Sequence, residues 1–164
     1  MTLQERLVAL SGRGLLAEHR PSRAELQQHL DNARDQIGDA RNTGVSALGR
    51  FNAAYGASHA LLTAALKMRG YRTGSGQGHR QLLFDLLDPL LPAAAGDKAV
   101  LSQAHVMRNK AEYDGEPVNV TAALVQSLVV AAENLDEEVR LAFKAFLKVA
   151  ACKYWSSASR AWSC

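Results

Sequence analysis

An all-α fold, an up-and-down bundle of about five or six helices, is what this sequence predicts. Three observations carry that reading. Core-type side chains recur at three- and four-residue spacing, most regularly at Val45, Leu48, Phe51, Tyr55, His59, Leu62 and Leu66. Alternation of period two is absent and β-branched residues are sparse, so no stretch reads as strand. Apolar residues make up 48% of the chain against 21% charged, the balance of a folded soluble protein, with no run near the roughly 20 apolar residues of a membrane span. A chain of 164 residues fills one sizeable core and is too short for two ordinary domains, so residues 1–164 are expected to form a single helical domain.

Residues 1–21 read as a short helix (Leu3, Leu7, Leu10) and a loosely held lead-in interrupted at Ser11-Gly12-Arg13-Gly14. Ser22 and Glu25 have the spacing of a capping box, predicting a helix from about Arg23 to Arg41. Its few apolar positions, Leu26, Leu30, Ala33, Ile37 and Ala40, bury one narrow face. Asn42-Thr43-Gly44 ends it. Val45 to Arg69 is the central helix, where small residues let neighbours approach and Gly70 caps the end. Three glycines between Tyr71 and Gly78 make a loop. A helix opens at His79-Arg80-Gln81 and runs to Pro89, Leu90–Gly96 turns, and Asp97 caps the helix that follows. Val118 to Leu135 reads as a deeply buried helix. A separate last helix starts at Asp136-Glu137-Glu138, where acidic residues suit the positive end of a helix dipole. Residues 152–164 form a Ser-rich tail, holding both tryptophans, that shows no firm pattern.

The start of the chain has no hydrophobic signal region, and the two cysteines, Cys152 and Cys164, fit neither a disulfide framework nor a metal site. A cytoplasmic protein without membrane contact is expected. The net charge of +3 comes from one place: Lys67, Arg69, Arg72 and Arg80 lie between Phe51 and Arg80 with no Asp or Glu among them. An anionic partner is one explanation; arginines that merely solvate a loop are the other.

The densest group of titratable residues runs from Ala104 to Gly115. A helix through Tyr113 puts His105, Arg108 and Glu112 on one stripe, and Asn109 and Tyr113 on the next. Asp114-Gly115-Glu116-Pro117 then stops it. The plain reading is an Arg108–Glu112 ion pair, worth a few tenths of a kcal/mol. The functional reading is an anion-binding arginine oriented by Glu112 and flanked by Asn109, Lys110 and Tyr113, with His105 one turn back. Gly74-Ser75-Gly76-Gln77-Gly78 lacks the lysine and the strand of a nucleotide loop, and the five histidines show no metal-ligand spacing. On the apolar central helix, His59 reads as a hydrogen-bonded core histidine.

The segment Arg108-Asn109-Lys110-Ala111-Glu112-Tyr113 resembles the motif of the HEPN superfamily of small helical bundles: an arginine, a polar residue, then a histidine four to six residues after the arginine. Tyr113 stands where that histidine is expected. Tyr55 with Ala60-Leu61-Leu62, Gly70-Tyr71-Arg72, and Gly78-His79-Arg80 fit the layout of a prokaryotic branch, and the resemblance covers about residues 45 to 135. It implies a cofactor-free dimer in which arginine stabilises phosphate charge while histidine assists attack of an RNA 2′-hydroxyl. A phenol with pKa near 10 is a feeble base at neutral pH, yet it donates a hydrogen bond to phosphate or stacks on a base.

Three readings follow. The chain binds RNA, a nucleotide or a protein without efficient catalysis, through Arg108, Asn109 and Tyr113, with Lys67, Arg69, Arg72, His79, Arg80 and Lys110 as anion contacts. Alternatively it is a metal-independent endoribonuclease of toxin or defence type, with His105 or His79 replacing the missing histidine. In the third reading it is a dimerisation or adaptor module. The resemblance also implies an antitoxin or a nucleotidyltransferase as partner.

Overall fold

The computed structural model describes residues 1–74, 78–110 and 119–158, with 151–158 as helix backbone alone. Seven α-helices among the described residues pack as a bundle, and a two-stranded sheet lies beside them. In chain order these are α1 (Leu3–Gly12), β1 (Leu16–Glu18), α2 (Arg23–Arg41), α3 (Ala47–Met68), β2 (Tyr71–Thr73), α4 (His79–Asp85), α5 (Leu87–Leu90), a 3₁₀ turn (Pro92–Asp97), α6 (Lys98–Asn109) and α7 (Ala122–Ala158).

The centre of the bundle is α3, packed between α2 and α7. Ala54, Ala57 and Ala64 are almost wholly buried, so the neighbouring helices come close, while Phe51, Tyr55, Leu61 and Leu62 fill the space between them. All five apolar positions expected of α2 are buried, and no other position of that helix is. Ser22 caps α2 by accepting from the Glu25 amide at 3.0 Å. The reciprocal half of the expected box is missing because the Glu25 carboxylate is taken by His19 and Lys67. A complete box sits instead at Thr2 and Glu5, where α1 begins.

Tyr71–Thr73 is a strand, not a loop, and it pairs antiparallel with β1: Leu16 faces Thr73, Ala17 faces Arg72 and Glu18 faces Tyr71. Two further backbone bonds, His19 N–H to the Gly70 carbonyl (2.8 Å) and Gly74 N–H to the Leu15 carbonyl (3.1 Å), lengthen the ladder. The N-terminal lead-in is therefore not loosely held, and Leu7 and Leu16 belong to the core. Gly70, at φ +89°, turns the end of α3 into β2 through the left-handed region that only glycine enters freely.

The segment His79 to Pro89 is two helices rather than one. Pro89 has no N–H to give the Asp85 carbonyl, and the chain breaks at Leu86. Asp97 does not cap α6; its own backbone is helical, and its carboxylate accepts from Asn134 of α7 at 3.0 Å. The two expected C-terminal helices are one. Val125, Leu128, Ala132, Leu135, Val139 and Phe143 form an unbroken buried stripe with no Gly or Pro to interrupt it. Asp136 is spent inside the helix on Arg140 (2.7 Å), which also donates to the Leu30 carbonyl of α2. No described helix is long and apolar enough to cross a membrane.

Candidate functional site

Tyr55 on α3, Phe84 on α4 and His105 on α6 meet in a buried cluster, each less than 4% exposed. The Tyr55 and Phe84 ring centres are 5.5 Å apart, Phe84 and His105 5.2 Å, and Tyr55 and His105 6.1 Å with nearly parallel planes. The Tyr55 hydroxyl and His105 Nδ1 share a hydrogen bond of 2.8 Å, and the Asn109 side-chain amide lies 3.0 Å from Nε2. With the Asn109 amide donating to Nε2, the ring is the neutral tautomer whose Nδ1–H donates to the phenol oxygen. Both ring nitrogens of His105 are thus engaged below the surface.

One helical turn along, the same three helices each carry basic groups. On α3 it is His59, four residues after Tyr55; on α4 it is Arg80, four residues before Phe84, with His79 beside it. On α6 it is Arg108, whose guanidinium carbon lies 4.8 Å over the centre of the Tyr55 ring, a cation–π contact. The arrangement has two tiers, an aromatic floor and a basic layer above it. His59 registers that layer: burial first, then the positive fields of Arg80, His79, Arg108 and His29, push its pKa down to about 4. Its Nε2 is buried and finds no hydrogen-bond partner among the described residues. The sequence reading of His59 as a hydrogen-bonded core histidine is corrected on that point. Its signal in the sequence is the i, i+4 register with Tyr55.

The structure brings together Arg108, Asn109, His105, His79 and Arg80 of the residues singled out from sequence. Lys110 follows, exposed, at the end of α6. Glu112 and Tyr113 lie outside the described residues. Lys67 is two turns beyond His59 on α3 and belongs to another cluster: its ammonium is 2.7 Å from Glu25 Oε1 and 2.9 Å from His29 Nε2. Glu25 also takes the His19 Nε2–H at 2.9 and 3.0 Å. The bond from Lys67 outweighs the upward push of burial and, with His19, holds the Glu25 carboxyl at about 2. Burial and the Lys67 charge lower His29, leaving its neutral Nε2 to accept from that ammonium. This cluster went unread in the sequence because its members are 4 to 48 positions apart on three separate segments.

Arg69 and Arg72 are outside both clusters. Arg69 caps α3 and lines an apolar groove of about 340 Å³ between α3, α5 and α7, with Leu90, Leu91 and Phe146. Arg72 is exposed on β2, opposite Ala17. His79 also lines a recess of about 320 Å³ with Gly14, Leu15, Gly74 and Leu82, so the β1–β2 pair borders the start of α4. Among the described residues, no three His, Cys, Asp or Glu side chains are grouped as a metal ion would need. The chain matches no protein-family model, no curated protein and no solved structure.

Proposed function

We propose that this protein is an HEPN-like helical bundle that binds single-stranded RNA through the basic layer on α3, α4 and α6 without cutting it efficiently. The observation that carries the reading is the half-buried Arg108, its guanidinium stacked on Tyr55 where basic groups from three helices converge. The guanidinium rests over an aromatic ring, and arginine is the side chain whose planar fork best matches a phosphate. Asn109 extends the donor set, held by its bond to His105. In this reading His105 positions Asn109 and Tyr55 and touches no substrate, because both of its ring nitrogens are engaged and it is 3% exposed. Weak catalysis follows from the sequence as well, since a phenol replaces the imidazole that the family motif uses as a base. The resemblance carries a homodimer into the proposal too, to be checked by light scattering at micromolar concentration.

The test is binding of a labelled single-stranded oligouridylate over a salt series in the presence of EDTA. Phosphate contacts give an affinity that falls steeply as salt rises, and Arg108→Ala is expected to lower it by about tenfold or more. Affinity that ignores both salt and Arg108 would sink the RNA reading. Products ending in cyclic phosphate that disappear in Arg108→Ala would make the chain a ribonuclease instead. A firm dimer with no affinity for RNA would leave it an adaptor.

A further inference from the structure

Lys67 stands in the last turn of α3, three residues before the glycine that turns the chain into β2. Its ammonium has only hydrogens to give, and it gives them to two side chains of α2, Glu25 Oε1 at 2.7 Å and His29 Nε2 at 2.9 Å. The second bond exists only while the His29 ring is neutral with its proton on Nδ1, because an imidazolium has no lone pair left to accept with. A proton added at Nε2 sets two cations against each other at that distance, and one of them has to leave. Lys67 hangs on a flexible four-carbon stem, whereas the imidazole is one carbon from the α2 backbone, so the lysine is the group that moves. Glu25 lies one turn before His29 on the same helix, the i, i+4 spacing at which a carboxylate meets a cation.

We propose that the Lys67–His29 contact is a proton-driven latch: at neutral pH Lys67 ties the end of α3 to α2, and in mild acid His29 takes a proton from solvent, turns to Glu25 and releases Lys67. A bond between two helices is thereby exchanged for one within α2. The groups around the ring are consistent with this order of events. Lys67 from α3 opposes the proton and Glu25 favours it, while partial burial, the larger influence, keeps the ring neutral below its ordinary 6.5. His19, just after β1, reaches the cluster through the same carboxylate at 2.9 and 3.0 Å. His59, two turns before Lys67, stays neutral down to about 4. From α7, Arg140 donates to the Leu30 carbonyl and is paired with Asp136. Glu25 has a cation beside it before and after the exchange, so its carboxylate remains ionised throughout. What loosens is the junction of α3 and β2, where the Gly70 carbonyl accepts from the His19 N–H at 2.8 Å. The latch is independent of the RNA-binding reading.

The experiment uses the full chain labelled with ¹⁵N and followed by NMR as the pH is lowered from about 7 to about 5. Three signals are read together: the His29 ring nitrogens, the Lys67 ammonium, and the hydrogen-exchange protection of the His19 and Gly70 amides. At neutral pH the ring should carry its proton on Nδ1 and the ammonium should show its bond to Nε2. On acidification the ring should charge with a midpoint below 6.5, and the ammonium bond should disappear over the same range. Protection of the two amides, corrected for the intrinsic pH dependence of exchange, should fall by about threefold or more in step. His29→Gln supplies a carbonyl acceptor that does not titrate, so it should keep the Lys67 bond and hold protection level across the range. The wild-type titration needs no substitution, and a poorly folding variant does not decide the matter. A ring that charges while the Lys67 bond and the amide protection stay as they were overturns the latch. So does a ring whose proton is on Nε2 at neutral pH, or a loss of protection that persists in His29→Gln.

Discussion

Two polar clusters sit on the same helix two turns apart, and they are built on opposite principles. Around Lys67 every charge is answered: Glu25 takes the ammonium and the His19 N–H, and neutral His29 accepts what the ammonium has left. Around His59 the described charges that act on the ring are all of one sign, and a ring nitrogen is left over. Burial and ionisable residues are common to both. What differs is closure: the first cluster completes itself from its own side chains, whereas the second holds an unmet hydrogen bond within a positive field. An internally satisfied network ties α2 to α3, whereas beside Tyr55 one buried ring nitrogen, His59 Nε2, lacks a partner among the described residues.

The strongest blow to the comparison is removal of the floor they do not share. Tyr55→Ala should cost about 3–5 kcal/mol of stability, read from the denaturant midpoint, because a side chain 1% exposed that touches Phe84, His105 and Arg108 is lost. A loss under about 1 kcal/mol would mean that the floor is not core. Next comes the pH response of the open cluster. The unfolded histidine binds a proton near 6.5, whereas the folded one does so only near 4. Stability is therefore full above that window and declines as pH falls through it, by about 2 kcal/mol after allowance for partial exposure. Chemical denaturation across this range should show the slope in wild type and a flatter line in His59→Gln.

The carboxylate of the closed cluster answers at lower pH and with a smaller effect. Glu25→Gln leaves Lys67, whose side chain is 15% exposed, without its anion, and should cost about 1–2 kcal/mol at neutral pH, between the values for exposed and buried pairs. In wild type that contribution is present above the ordinary carboxylate value of 4.5 and is lost as pH falls toward 2. The variant should lack this acid-dependent loss. The smallest effect is expected at Arg72, exposed on β2 and outside both clusters. Arg72→Ala should leave stability within about 0.5 kcal/mol of wild type, and a larger change in a melting curve would show a coupling that the fold does not reveal.

The helices were legible where periodicity and punctuation agree. Arg23–Arg41 has a serine cap, one narrow apolar face and an Asn-Thr-Gly stop, and its bounds match the structure; the Val45–Arg69 pattern matches nearly as well. The strands were not legible, since three-residue segments are too short to alternate and gain their order from pairing across more than fifty positions. Asp136-Glu137-Glu138 misled for a physical reason as well. Acidic residues favour a helix start, yet one solvated turn costs little when the buried stripe continues from Leu135 to Val139. The grouping of His105, Arg108 and Asn109 could be read from helical geometry. Their meeting with Tyr55, Phe84, His59 and Arg80 could not, because it depends on how α3, α4 and α6 cross.

The short pairing of β1 with β2 reaches further than its six residues. It fastens the beginning of the chain to the strand just before α4, whose first turn carries His79 and Arg80. A substitution that broke this pairing, such as Ala17→Pro, would therefore part the first helix of the chain from the strand that follows α3.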